Sequence, residues 1–164
     1  MNLLEIPFFG LILAAQHIIY SMNAGLKVTY LYHDGDIIEV RIVAENASFR
    51  GSADVYVGTD GLLEATAVLA GFPKDRQDTR EVVFGAAGPK FAGGSVRLKF
   101  YCKDGAGHAA FLAEIEEDYG GRQEAQCASV TVDFEPASLD RFLIELRQVE
   151  IEHRGSAVLL TQAI

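Results

Sequence analysis

Tryptophan is absent from this chain of 164 residues, and only two cysteines and four prolines are present. Two cysteines cannot build a disulfide scaffold. Cys102 and Cys127 stand outside any Cys-x-x-Cys pair and inside apolar, strand-like runs, so both are expected to be reduced and buried, as in a cytoplasmic protein. Positive charge is scarce too: 14 Lys and Arg face 23 Asp and Glu, for a formal net charge of -9. Nucleic-acid binders draw affinity from a basic field that displaces counterions, so that class is disfavoured. The same charge suits solubility and attraction to a basic partner.

The residue patterns of catalysis are missing as well. His17, His33, His108 and His153 are scattered, with no second ligand at metal-binding spacing. Asp34 and Asp36 flank a glycine as in calcium loops, but no loop closing on a bidentate Glu follows, and a hairpin turn explains them. The glycine-rich stretch from Gly85 to Lys90 lacks the Gly-Lys-Ser/Thr ending of a phosphate loop. Ser52, Ser95 and Ser129 lie outside any Gly-x-Ser-x-Gly turn. Paired carboxylates for glycoside hydrolysis would need an aromatic-rich cleft, and there is no Trp to line one. No catalytic, cofactor-binding or metal-ligating residue is therefore assigned, and the chain is expected to be non-enzymatic.

The one long apolar run is at the start. Residues 1–21 hold no Lys or Arg, which a signal peptide's n-region would supply, and Glu5, Pro7, Gln16 and His17 interrupt what a membrane span needs uninterrupted. The segment reads as an apolar extension, either packed on the domain as a helix or lying upstream of a true start at Met22. A signal peptide is the minority reading. Residues 22–164 then form one domain.

Within it, hydrophobic periodicity organises the chain. Val130, Val132 and Phe134 alternate with polar neighbours as in a half-buried strand, and Pro136 ends that ladder. Ser138 can cap a helix on which Leu139, Phe142, Leu146 and Val149 share an apolar face, widened by Leu143. The same layout occurs 77 positions earlier, where the strand Ala53, Val55, Val57 precedes Leu62, Ala65, Leu69 and Phe72. Thr59 or Asp60 offers the cap there, and Gly71 and Pro73 the stop. Further strands are expected over 27–32, 37–45, 49–57, 81–86, 96–103, 108–118, 123–134 and 156–162, joined by turns such as Asp34-Gly35 and Asp104-Gly105. Gly51 marks a bulge or a close backbone approach. The expected fold is α+β: a single domain with a twisted, mainly antiparallel sheet of seven or eight strands and two main helices on one face.

Two polar features stand out. Glu114, Glu116, Glu117 and Asp118 cluster at a strand end, and Glu145, Glu150 and Glu152 lie on or after the second helix. Such charge runs usually form a solvated face. The functional alternative is an acidic patch, carried by Glu114, Glu116, Glu117 and Asp118, that docks a basic protein. His108, directly after a hairpin turn, is a turn histidine or, with nearby carboxylates, part of a small-ligand or enzymatic pocket.

Several motifs occur in a familiar order: Ala47-Ser48-Phe49-Arg50-Gly51, then Leu62 to Leu69-Ala70-Gly71-Phe72-Pro73, then Val96-Arg97-Leu98-Lys99-Phe100, Asp104-Gly105-Ala106-Gly107-His108, and Leu139-Asp140-Arg141-Phe142 with Leu146. This run resembles the WapI-like immunity group of small bacterial proteins. The resemblance implies a binding protein that neutralises a contact-dependent toxin, with a toxin domain as partner and no cofactor. It assigns no catalytic residue.

Overall fold

The computed structural model describes residues 24–161. The expectations for residues 1–21, for a domain start at Met22 and for the end of the last strand at Gln162 lie outside the described residues.

The chain runs β1 (Ala24–His33), β2 (Ile37–Glu45), β3 (Arg50–Gly58), α1 (Gly61–Leu69), β4 (Thr79–Gly85), β5 (Ser95–Cys102), β6 (Ala109–Glu116), β7 (Cys127–Phe134), α2 (Pro136–Glu152) and β8 (Ser156–Leu160). The fold is α+β, with every pairing antiparallel. The strands form two four-stranded sheets rather than one, in the orders β3-β2-β1-β8 and β4-β5-β6-β7. The reason lies in the connections. Hairpins keep neighbours on one ladder, whereas α1 carries the chain from the first sheet to the second and α2 carries it back. Each helix is a sheet-switching connection.

The inward faces follow the period-2 pattern. Leu26 and Val28, then Ile38, Val40 and Ile42, then Ala53, Val55 and Val57 are buried from the first sheet. Val96, Leu98 and Phe100, Phe111, Ala113 and Ile115, and Val130, Val132 and Phe134 are buried from the second. They join a single core with both helices. Phe72, Phe100, Phe111 and Phe134 meet at ring distances of 5.4–6.4 Å within it, each burial worth about 1.5–3 kcal/mol.

β3 crosses the ends of the second sheet's strands. Gly51 lies against Ala128 and Ile115, Ala53 against Gly94, and Val55 against Gly85. A Cβ on Gly51 would stand 2.7 Å from Ala128 Cβ. The β2–β3 register passes Gly51 without a shift, so this glycine serves a close approach and not a bulge. Register shifts occur in β1 instead: at Leu31, where pairing with β2 moves from Tyr30↔Val40 to Tyr32↔Glu39, and between Ala24 and Leu26 in the pairing with β8.

The helices pack differently: α1 touches one strand of each sheet, β3 and β4, while α2 touches α1 and the first sheet's β8 and β1. The expected caps need correction. Ser138 lies inside α2, which starts earlier, with Pro136 in the first turn, where its missing N–H costs nothing. Its hydroxyl donates to Glu135 O. Asp60 is the N-cap residue of α1, but its side chain makes no capping bond. A distant carboxylate does the capping: Glu150 of α2, 5% exposed, accepts from the N–H groups of Asp60 (3.0 Å) and Leu62 (2.8 Å). The other end of α1 is capped by Arg80, whose guanidinium donates to the carbonyls of Val68, Ala70 and Gly71 and pairs with Asp78. Opposite charges thus sit at the two ends of α1, each with the sign the helix dipole favours. Glu145 also has a structural role, accepting from the N–H of Val158 on edge strand β8. Of the second acidic group, Glu152 has neither duty and pairs with Arg154 on the surface.

Candidate functional site

The acidic stretch predicted for partner binding divides in space. Glu114 stands on the outer face of the second sheet, loosely facing Arg97 (3.9 Å), which Glu81 flanks on the other side (3.8 Å). Glu116 accepts the N–H of Gly88 at 2.7 Å. Both residues line a shallow cleft of about 470 Å³ with Arg97, Ser95, Cys127 and Ser129. Glu117 pairs with Arg122, and Asp118 turns the chain by accepting the N–H of Gly120.

The turn formed by the last of these residues meets the first sheet. Gly94 donates its N–H to Asp54 O (2.8 Å), and its α-carbon lies in the seam between Ala53 and the backbone of Glu116 and Glu117. Gly93 lies against the ring of Tyr56. The phenol of Tyr56 is raised above its ordinary pKa first by Glu39 and its own desolvation, then by Asp118 and Asp54. Glu39, Asp54, Asp118 and the Glu116–Glu117 backbone therefore converge on one seam. Asp54 is neutralised by a two-pronged bond from Arg41 (2.7 and 2.8 Å). Among the described residues, Glu39, Glu116 and Asp118 have no salt-bridge partner.

A second cleft, of about 400 Å³, opens beside this seam on the outer face of the first sheet. Tyr32, Asp34, Ile37, Glu39, Tyr56 and Ala92 line it. Asp34 accepts from the N–H groups of Asp36 and Ile37, bonds that hold its carboxyl below the usual range.

His108 lines neither cleft. Its Nδ1 lies 2.6 Å from Asp104 Oδ2 within the β5–β6 turn, and this bond raises the imidazole pKa while lowering that of Asp104. Two histidines distant in sequence do meet: His33 stacks on His153 at 3.9 Å between centroids, with Tyr30 bonded to His33 Nδ1 at 2.8 Å. Among the described residues no three His, Cys, Asp or Glu side chains gather as a metal site. Both cysteines are free, but they are not a buried pair: Cys102 is half-buried, its thiol raised in pKa by desolvation and nearby aspartates, and Cys127 is exposed because it opens edge strand β7. No helix of the described residues is long and apolar enough to cross a membrane.

Sequence periodicity sets Glu39 opposite Ile38, Val40 and Ile42 but does not bring Tyr32 to its face. Counting by twos from Val28 and Tyr30 sends Tyr32 inward, and the Leu31 bulge reverses it. Glu150 was missed because a single helical carboxylate, here between Val149 and Ile151, carries no sign of its own burial. Comparison with protein-family models, with curated proteins and with solved structures finds no match to this chain.

Proposed function

We propose that this chain is a non-enzymatic binding protein of the immunity type, which neutralises a bacterial toxin domain by docking an acidic surface against it in the cytoplasm. The observation that carries this reading is the seam where Glu39 and Asp118, neither with a salt-bridge partner among the described residues, both act on Tyr56, with the Glu116–Glu117 backbone packed beside it against Gly94. Rim charges of this sort raise association rate and select a basic partner. The docking surface in this reading extends the Glu114, Glu116, Glu117 and Asp118 patch across the seam onto the first sheet. The resemblance to the WapI-like group supplies the toxin as partner.

Coexpression tests the proposal. Genes adjacent to this one are expressed with and without the chain, and growth is followed together with pull-down of the toxic product. Rescue by the chain, weakened by Asp118→Lys with Glu39→Lys and by added salt, is expected. A toxin that is never bound or neutralised, or binding that is indifferent to salt and to both reversals, overturns it.

A further inference from the structure

We infer that Tyr32, Glu39 and Tyr56 form a clamp for one arginine side chain presented by a protein partner. This deepens the docking reading and rests on it for the source of the arginine. The three residues are direct cross-strand neighbours, Tyr32↔Glu39 and Glu39↔Tyr56, and so stand in one row on one face of β1, β2 and β3. With strands about 4.8 Å apart, the two tyrosine backbones are about 10 Å apart with the carboxylate between them. Tyr56 reaches Glu39 through its hydroxyl, so a planar group bonding the carboxylate from outside would meet an aromatic side chain on either flank.

Three further observations favour a guanidinium. The charged side chains lining the cleft, Asp34 and Glu39, are both acidic. Tyr32 is 59% exposed, and it reaches this face because of the bulge at Leu31, a device that re-aims a side chain at the cost of a ladder bond. The neighbouring row of the same sheet shows the complementary arrangement: Asp54 there is met by Arg41 through two bonds. The Tyr32–Glu39–Tyr56 row offers a carboxylate in a similar cross-strand position; Arg41 of the neighbouring row lies within electrostatic reach of it but commits its guanidinium to Asp54, and among the described residues no salt bridge reaches Glu39. Arginine suits it better than lysine, since its flat, weakly hydrated head stacks on aromatic faces while bonding a carboxylate at its edge.

The test is an NMR titration of the full chain with three capped tripeptides, Ac-Gly-Arg-Gly-NH2 and its Lys and Gln counterparts, at matched ionic strength. The arginine peptide is expected to shift the amides around Tyr32, Glu39 and Tyr56, the lysine peptide more weakly, and the glutamine peptide not at all. Tyr32→Ala with Glu39→Gln should weaken arginine-peptide binding about tenfold or more, while Tyr56→Phe, which keeps the ring, should retain it; thermal melts confirm that each variant is folded. An equal response to glutamine, shifts spread over surface carboxylates generally, or undiminished binding by the double variant overturns the clamp. The two readings fail separately. A toxin neutralised equally by the double variant removes the clamp and leaves the immunity function, whereas arginine binding in the cleft without any neutralised toxin does the reverse.

Discussion

The two strand-to-helix units, β3–α1 and β7–α2, have the same buried pattern and opposite means of support. Every position of the 77-residue echo is buried in both: Ala53, Val55, Val57, Leu62, Ala65, Leu69 and Phe72 in one, Val130, Val132, Phe134, Leu139, Phe142, Leu146 and Val149 in the other. Both strands are sheet edges and both helices move the chain between sheets. Yet α1 has 9 residues and α2 has 17. Isolated helices shorter than about 12–15 residues are marginal in water, so α1 depends on its surroundings. The longer helix supplies Glu150 to its N-terminus, and the following strand supplies Arg80 to its C-terminus. Equal hydrophobic patterning thus conceals unequal dependence, and α1 is the supported member of the pair.

Removing Glu150 should break this relation most severely. Glu150→Ala deletes two charge-assisted bonds and leaves the Asp60 and Leu62 N–H groups without their acceptor at a largely buried site, so a loss of about 2–4 kcal/mol is expected in urea unfolding. Glu150→Gln keeps one acceptor oxygen and should fall between the variant and the parent. Hydrogen exchange should speed up in α1 before the sheets. A loss below the error of the measurement would show that α1 stands without its partner.

Arg80→Ala attacks the opposite end. The lost donors leave the last carbonyls of α1 open, but these are nearer to solvent and water can replace the guanidinium, so a smaller loss of about 1–2 kcal/mol is expected. Since Glu150 and Arg80 hold opposite ends of one short helix, a double variant should show coupling and not simple addition.

In the second unit, Ser138→Ala should change stability by less than about 0.5 kcal/mol. The hydroxyl donates to a carbonyl one turn back and caps no N–H group. A cost near that of a true N-cap would remove the contrast between the units.

The legible part of this molecule was whatever local pattern controls. Alternation located the strands, and both helices were found within a few residues of their bounds. The division into two sheets was not legible, because a helix connection between strands reads the same whether the strands rejoin one sheet or change sheets. Caps were only partly legible for a related reason: Asp60 does take the N-cap position of α1, but Glu150 supplies the capping bond across 88 positions to Leu62, and Ser138 is a good capping residue by type while Pro136 starts α2 sooner. The residues of the proposed docking surface were half visible. The Glu114–Asp118 run was plain in the sequence, whereas its meeting with Tyr56 depends on β3 crossing the second sheet and Tyr32 on a one-residue bulge.

The smallest effect lies in the β5–β6 turn within the second sheet, outside both units, where His108 and Asp104 form a half-exposed pair. The bond raises His108 above its ordinary 6.5, so its contribution is complete below that pH and fades as pH rises through the higher folded value. It lowers Asp104 below 3.8, so at the acid end the contribution is complete above 3.8 and fades as pH falls through the depressed value. The window of full effect is therefore 3.8 to 6.5. An NMR titration of the imidazole should give a pKa above 6.5 that falls back in Asp104→Asn. Because both groups face water, the melting temperature should barely follow. The pH dependence of the turn should leave α1 protection untouched, since its partners Glu150 and Arg80 lie elsewhere; if exchange in α1 tracked the His108 titration, the two regions would be coupled and the support of α1 would not be the local matter that its caps imply.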